Sequence, residues 1–128
     1  MTKSKFNKIA TSISMFALVL CLVSFVSFQK AWTVSAADSG IKNPVKADAA
    51  SVAAGKALYT KTCKMCHGEK GDSKAAAPSN FTSKEFKAQT DGDIYTKINN
   101  GFGKMPAYKA KIKEDKERWN LVNYLRTL

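Results

Sequence analysis

Polar and apolar positions divide the chain into three stretches of different character. Residues 9–29 carry no charge and contain an apolar run at 15–23. Residues 38–49 mix Asp, Ser, Gly, Pro44 and Ala without periodicity and read as a flexible linker. From residue 50 onward apolar positions recur at helical spacing in three places. The first helix is expected from about 51 to 62, with Val52, Gly55, Leu58 and Tyr59 on one face and Ser51 as its cap. The second is expected from about 91 to 100, where Ile94 and Ile98 sit four apart, Asp91 suits the N-cap and Gly101 the C-terminal stop. The third is expected from about 115 to the end, where Trp119, Leu121, Val122, Tyr124, Leu125 and Leu128 make one broad stripe. No alternating pattern of useful length suggests a strand, so the fold class is all-α.

The N-terminal stretch is a separate matter. Lys3, Lys5 and Lys8 precede the uncharged run, and Val34-Ser35-Ala36-Ala37 follows it. A basic start, an apolar middle and small residues at the end describe an export signal over residues 1–37, cut after Ala36 or Ala37. The rival reading is an uncleaved anchor, because 21 uncharged residues are about what a spanning helix needs. Lipid attachment at Cys21 is a third option, opposed by the bulky Leu20 before it. All three place the rest of the chain outside the cytoplasm, in a periplasm or on the outer membrane face.

Charge is read differently once this segment is set apart. The whole chain has a net charge of +11, and Lys3, Lys5, Lys8 and Lys30 supply four of its 21 basic groups. Residues 38–128 keep 17 basic and 10 acidic groups. No basic-aromatic array, zinc finger or helix-turn-helix pattern accompanies them, so nucleic acid is not the expected partner. An acidic protein surface is.

The chemistry lies in Cys63-Lys64-Met65-Cys66-His67. C-x-x-C-H is the attachment motif of c-type haem. Two intervening residues let one helical turn present both sulfurs to the two vinyl groups on one haem edge. The following imidazole then faces the iron as an axial ligand. A thioredoxin-like dithiol would bring a strand–helix pattern that this region lacks. Structural zinc would need four ligands, and residues 38–128 offer two Cys and one His. A Cys63–Cys66 disulfide would close a small, strained loop. A second axial ligand cannot be His, because His67 is the single histidine. Met65 lies inside the motif and cannot reach the far face. Met105 remains, in the turn-rich sequence Gly101-Phe-Gly103-Lys104-Met105-Pro106. His67 and Met105 are therefore the expected iron ligands, and the thioether raises the reduction potential.

With these residues in place, the chain resembles the class I c-type cytochromes over about residues 50–128. The resemblance rests on Gly55-x-x-x-Tyr59, Cys63-x-x-Cys66-His67-Gly68, Gly71, Pro78, Met105-Pro106 and Trp119-x-Leu-Val-x-Tyr124-Leu125-Arg126. It implies a small cytochrome c fold, three or more helices wrapped around one covalent haem. It implies that the first and last helices cross where Gly55 meets Tyr124 or Trp119. It implies that the Pro78 carbonyl accepts a hydrogen bond from His67 Nδ1 and so fixes the imidazole. Phe81, Ile94, Ile98 and Tyr108 are expected to wall the haem, although plain core roles suit each almost as well.

The function this implies is one-electron transfer by a mono-haem carrier, expected to be monomeric, between acidic redox proteins or respiratory complexes. No catalytic acid/base pair or triad is visible. The alternatives are a haem subunit anchored to a membrane complex through residues 9–29, or a haem enzyme or ligand-binding cytochrome with a labile sixth site. Two ionised haem propionates would lower the charge of residues 38–128 from +7 to about +5. Lys61, Lys64, Lys104, Lys109, Lys111, Lys113 and Lys116 lie close in sequence to the haem residues and are the candidate docking charges.

Overall fold

The structure is a computed structural model that describes residues 32–73 and 80–128. The uncharged run 9–29, Cys21 and Pro78 lie outside the described residues. Six helices occur among those described, α1 Ala36–Ser39, α2 Ala49–Thr62, α3 Lys64–His67, α4 Lys84–Lys87, α5 Asp91–Asn100 and α6 Asp115–Leu125. The one β-type pairing among them is an isolated bridge between Phe102 and Met105.

The three long helices fall where periodicity puts them, but two caps differ from expectation. Asp48, not Ser51, caps α2, and Ser51 occupies the third helical position with its hydroxyl accepting the Asp48 N–H. Thr90, not Asp91, caps α5, and the Asp93 carboxylate accepts the Thr90 N–H. Both are capping boxes, in which two polar side chains three residues apart each satisfy a backbone donor. A sequence rich in Asp, Ser and Thr at helix starts leaves the choice between neighbours open.

Helices α2 and α6 cross closely, and Gly55 sets the distance. A Cβ built on Gly55 would stand 2.1 Å from the Asn120 carbonyl oxygen and 2.8 Å from Tyr124 Cβ. The expected partner is thus Tyr124 together with the Asn120 backbone, while Trp119 instead stacks on Tyr95 at 3.8 Å. Around the crossing lie Tyr59, Leu121, Val122, Tyr124 and Leu125, all buried. The Tyr59 hydroxyl donates to the Gly68 carbonyl at 2.6 Å, which ties α2 to the turn after α3. Burial pushes this phenol up to about 12, so it remains a donor.

Arg118 is buried to 2% exposure beside this core. It is paired with Asp115, donates to the Ile112 carbonyl and lies over Tyr95. It therefore ties the loop after residue 108 to α6 by charge-assisted bonds rather than by apolar packing.

The stretch 38–49 departs from the expected tether. Asn43 Nδ2 donates to Asn123 Oδ1 at 2.7 Å, and Asn123 Nδ2 donates to Ser51 Oγ at 3.1 Å. Val45 packs against the core. These bonds replace the missing apolar periodicity and hold the segment on the domain.

Candidate functional site

The site forms where α2 hands over to α3. Cys63 closes α2, and its carbonyl accepts N–H bonds from Cys66 at 3.1 Å and His67 at 3.0 Å. That single turn is what the C-x-x-C-H spacing requires. Gly68 then ends α3 at φ 82°, a left-handed angle that favours glycine. Neither cysteine is bridged. Before attachment, burial pushes the Cys63 thiol up to about 11. Among the described residues no cluster of three His, Cys, Asp or Glu could hold a metal, and the zinc reading gains no further ligand.

Met105 arrives on a separate loop that follows α5. Phe102 and Met105 exchange two backbone hydrogen bonds of 2.9 Å across Gly103-Lys104. Gly103 has φ 58° and Lys104 does not have a positive φ, the pattern of a type II′ turn. Gly101 begins this fold-back at φ 64°, and a Cβ there would stand 2.5 Å from the Met105 carbonyl oxygen. The loop is fastened to α5 by the Tyr108 N–H bond to the Ile98 carbonyl at 3.0 Å. Gly101→Ala is expected to cost about 2 kcal/mol, from the positive φ and the crowding together. A urea melt of the haem-loaded protein checks it, and wild-type stability would contradict it.

One cavity of about 270 Å³ receives both arms. It is lined at once by Cys63, Cys66, His67 and Met105, and by Phe81, Ile94, Ile98 and Tyr108. The sequence-predicted residues within the described segments are thus brought together. Phe81 stacks on the His67 ring at 4.6 Å and restrains its orientation. Ile94 and Ile98 come from α5, and the Tyr108 hydroxyl donates to the Thr62 carbonyl at 3.3 Å. Pro78 lies outside the described residues, and its expected bond to His67 stays an expectation.

Several wall residues escaped the sequence reading. Leu121 and Leu125 of α6 face the cavity, four residues apart within a stripe read only as core. Phe86 is 5% exposed and lines the cavity from α4, a one-turn helix capped by Ser83. Its signal was the Ser83–Phe86 spacing, masked by the lysines on either side. Trp32 and Phe102 also line the cavity.

This donor set fits a c-type haem. Two thiols on one turn, an adjacent imidazole and a thioether from a separate loop open onto a mostly apolar hollow. Residues 50–125 match the family described as cytochrome c oxidase, cbb3-type, subunit III. No curated protein matches the chain. The match spans more than half of the sequence, including α2 from its second residue, α3 to α6 and every described residue of the donor set. The chain therefore belongs to this cytochrome family, and its all-α domain is a c-type cytochrome that binds covalently attached haem c.

Proposed function

We propose that this chain carries single electrons between larger redox proteins in an exported compartment, with one haem held by Cys63 and Cys66 and ligated by His67 and Met105. The observation that carries this reading is that these four side chains line the same cavity. Bound haem c supplies a one-electron iron couple and asks for no substrate chemistry. The residues do the rest. Cys63 and Cys66 give thioether links, while His67, restrained against Phe81, and Met105, restrained by its tight turn, present two donors from separate elements. Ile94, Ile98, Phe86, Leu121 and Leu125 keep water from the interior and lower the local dielectric. Donors held by packing need little rearrangement when the oxidation state changes.

Carbon monoxide tests the sixth position. The reduced protein is expected to bind it slowly at neutral pH, and Met105→Ala quickly, as followed by visible absorbance. Fast binding by the wild type would favour a haem enzyme or ligand-binding cytochrome instead.

The partner is proposed to be an acidic face of a respiratory complex. Membership in a family described as an oxidase subunit supports this. So does the chain's charge. Lys104 lines the cavity mouth, and Lys61, Lys109, Lys111, Lys113 and Lys116 are exposed. Lys64 is paired with Glu69 and contributes less. Stopped-flow electron transfer is expected to slow by about tenfold between low and high salt. A rate independent of ionic strength would remove the lysines from the docking account. Among the described residues no helix is long and apolar enough to cross a membrane. A free carrier and an anchored subunit share the haem chemistry and differ in the fate of the N-terminal segment.

A further inference from the structure

The segment before α2 is built into the haem domain further than a leader sequence requires. Ser35 caps α1, its hydroxyl accepting the Asp38 N–H at 3.1 Å, and α1 spans Ala36–Ser39. The last residues of α1 press on the start of α5. Thr90 Oγ1 donates to the Ser39 carbonyl at 2.7 Å. A Cβ on Gly92 would stand 2.2 Å from the Asp38 carbonyl oxygen and 2.8 Å from that of Ser39. Only glycine admits the strap this closely. Further along, Asn43 is bonded to α6 through Asn123.

At the other end of the strap lies Trp32. Its ring stacks on Phe102 with centroids 5.0 Å apart and planes 19° from parallel. The Lys97 ammonium stands 5.4 Å from the same ring while donating to Gln89 Oε1 at 2.7 Å. Trp32, Phe102 and Lys97 all line the cavity that holds the donor set. Phe102 sits in the Met105 turn, so Trp32 packs on the element that positions Met105. Cleavage after Ala36 or Ala37 would fall inside α1, removing its cap and Trp32 together.

We propose that residues 32–48 are a strap of the haem domain, retained in the working chain, whose Trp32 closes the cavity mouth against Phe102. The occupant of the Phe102–Lys97 slot is thus this chain's own Trp32 rather than a partner's side chain. The proposal takes the haem cavity from the reading above, but not the identity of the sixth ligand.

Two measurements on the full, haem-loaded chain test it. Intact mass of the protein from its native exported compartment is expected to include Trp32. A chain beginning at Ala37 or Asp38 overturns the proposal. The second uses imidazole as a probe entering the ferric protein, followed by absorbance. Trp32→Ala is expected to speed entry by about tenfold, as removal of a lid does, while Trp32→Phe keeps the ring stack and stays near wild type. Equal rates in wild type and Trp32→Ala overturn the proposal. If Met105 were not a ligand, wild type and Met105→Ala would take up imidazole alike. That would count against the ligation reading and leave the Trp32 ratio to decide this one.

Discussion

The chain carrying both Cys63→Ala and Cys66→Ala is expected to show no cooperative thermal melt at ambient temperature or above. The cavity of about 270 Å³ is walled by Phe81 and by Phe86, Ile94, Ile98, Leu121 and Leu125, five of the eight hydrophobic side chains that α4, α5 and α6 bury. Without the cofactor these side chains face an open, water-accessible hollow. Full burial of one such side chain is worth about 2 kcal/mol, so six that lose half of it forgo on the order of 6 kcal/mol. That is comparable to the whole stability of a small domain. About 80 residues bury too little surface to absorb such a loss without a staple. Gly55, Tyr59, Val122 and Tyr124 of the α2–α6 crossing do not line the cavity, so residual helix is expected in far-ultraviolet circular dichroism while the sharp transition disappears. A double variant that melts cooperatively would show that the helices fold without the cofactor.

Gly55→Ala is the second large effect, and its sign has to be decided between two opposing contributions. Alanine in a helix interior is favoured over glycine by about 1 kcal/mol. Against this, the new methyl would lie 2.1 Å from the Asn120 carbonyl oxygen and 2.7 Å from its carbon. Both are backbone atoms inside α6, which cannot swing aside as a side-chain tip could. Relief requires the helices to separate, at the cost of packing among Tyr59, Tyr124 and Val122. Overpacking of this kind costs about 3 kcal/mol, so the steric contribution wins by about 2. For a domain this size that lowers Tm by roughly 10 °C. Gly55→Val should do worse. Differential scanning calorimetry of the haem-loaded protein checks both, and an unchanged or raised Tm for Gly55→Ala would mean that α2 and α6 do not cross so closely.

The sequence was most legible where chemistry or periodicity forces a residue type. Cys63, Cys66 and His67, read from the motif, and Met105, read from the lack of a second His, line one cavity in the structure. Helices α2, α5 and α6 follow from apolar spacing. The caps slipped because Asp48 and Ser51 are a reciprocal pair in which either member looks like a cap, and because Thr90 and Asp91 are neighbours that both suit the position. The strap was missed for a different reason. It is held by Asn43, Ser39 and Thr90 through polar bonds between residues far apart in sequence. Such bonds leave no period to read, and Gly92, which makes room for the strap, looks like any tolerated helix glycine. Phe86 was hidden because its helix has a single turn, with Lys84 and Lys87 flanking the aromatic. Gly55 was readable only through the family resemblance, since spacing alone does not say what a glycine touches.

Ligation of the iron by Met105 together with His67 is open to direct observation by proton NMR of the reduced protein with 13C-labelled methionine methyls. Met65 is 96% exposed and supplies the internal reference at an ordinary shift. A methyl held against the face of the haem ring must feel the ring current and move far upfield. One such signal is expected in the wild type, and its loss in Met105→Leu. A spectrum in which every methionine methyl sits at an ordinary shift would contradict it.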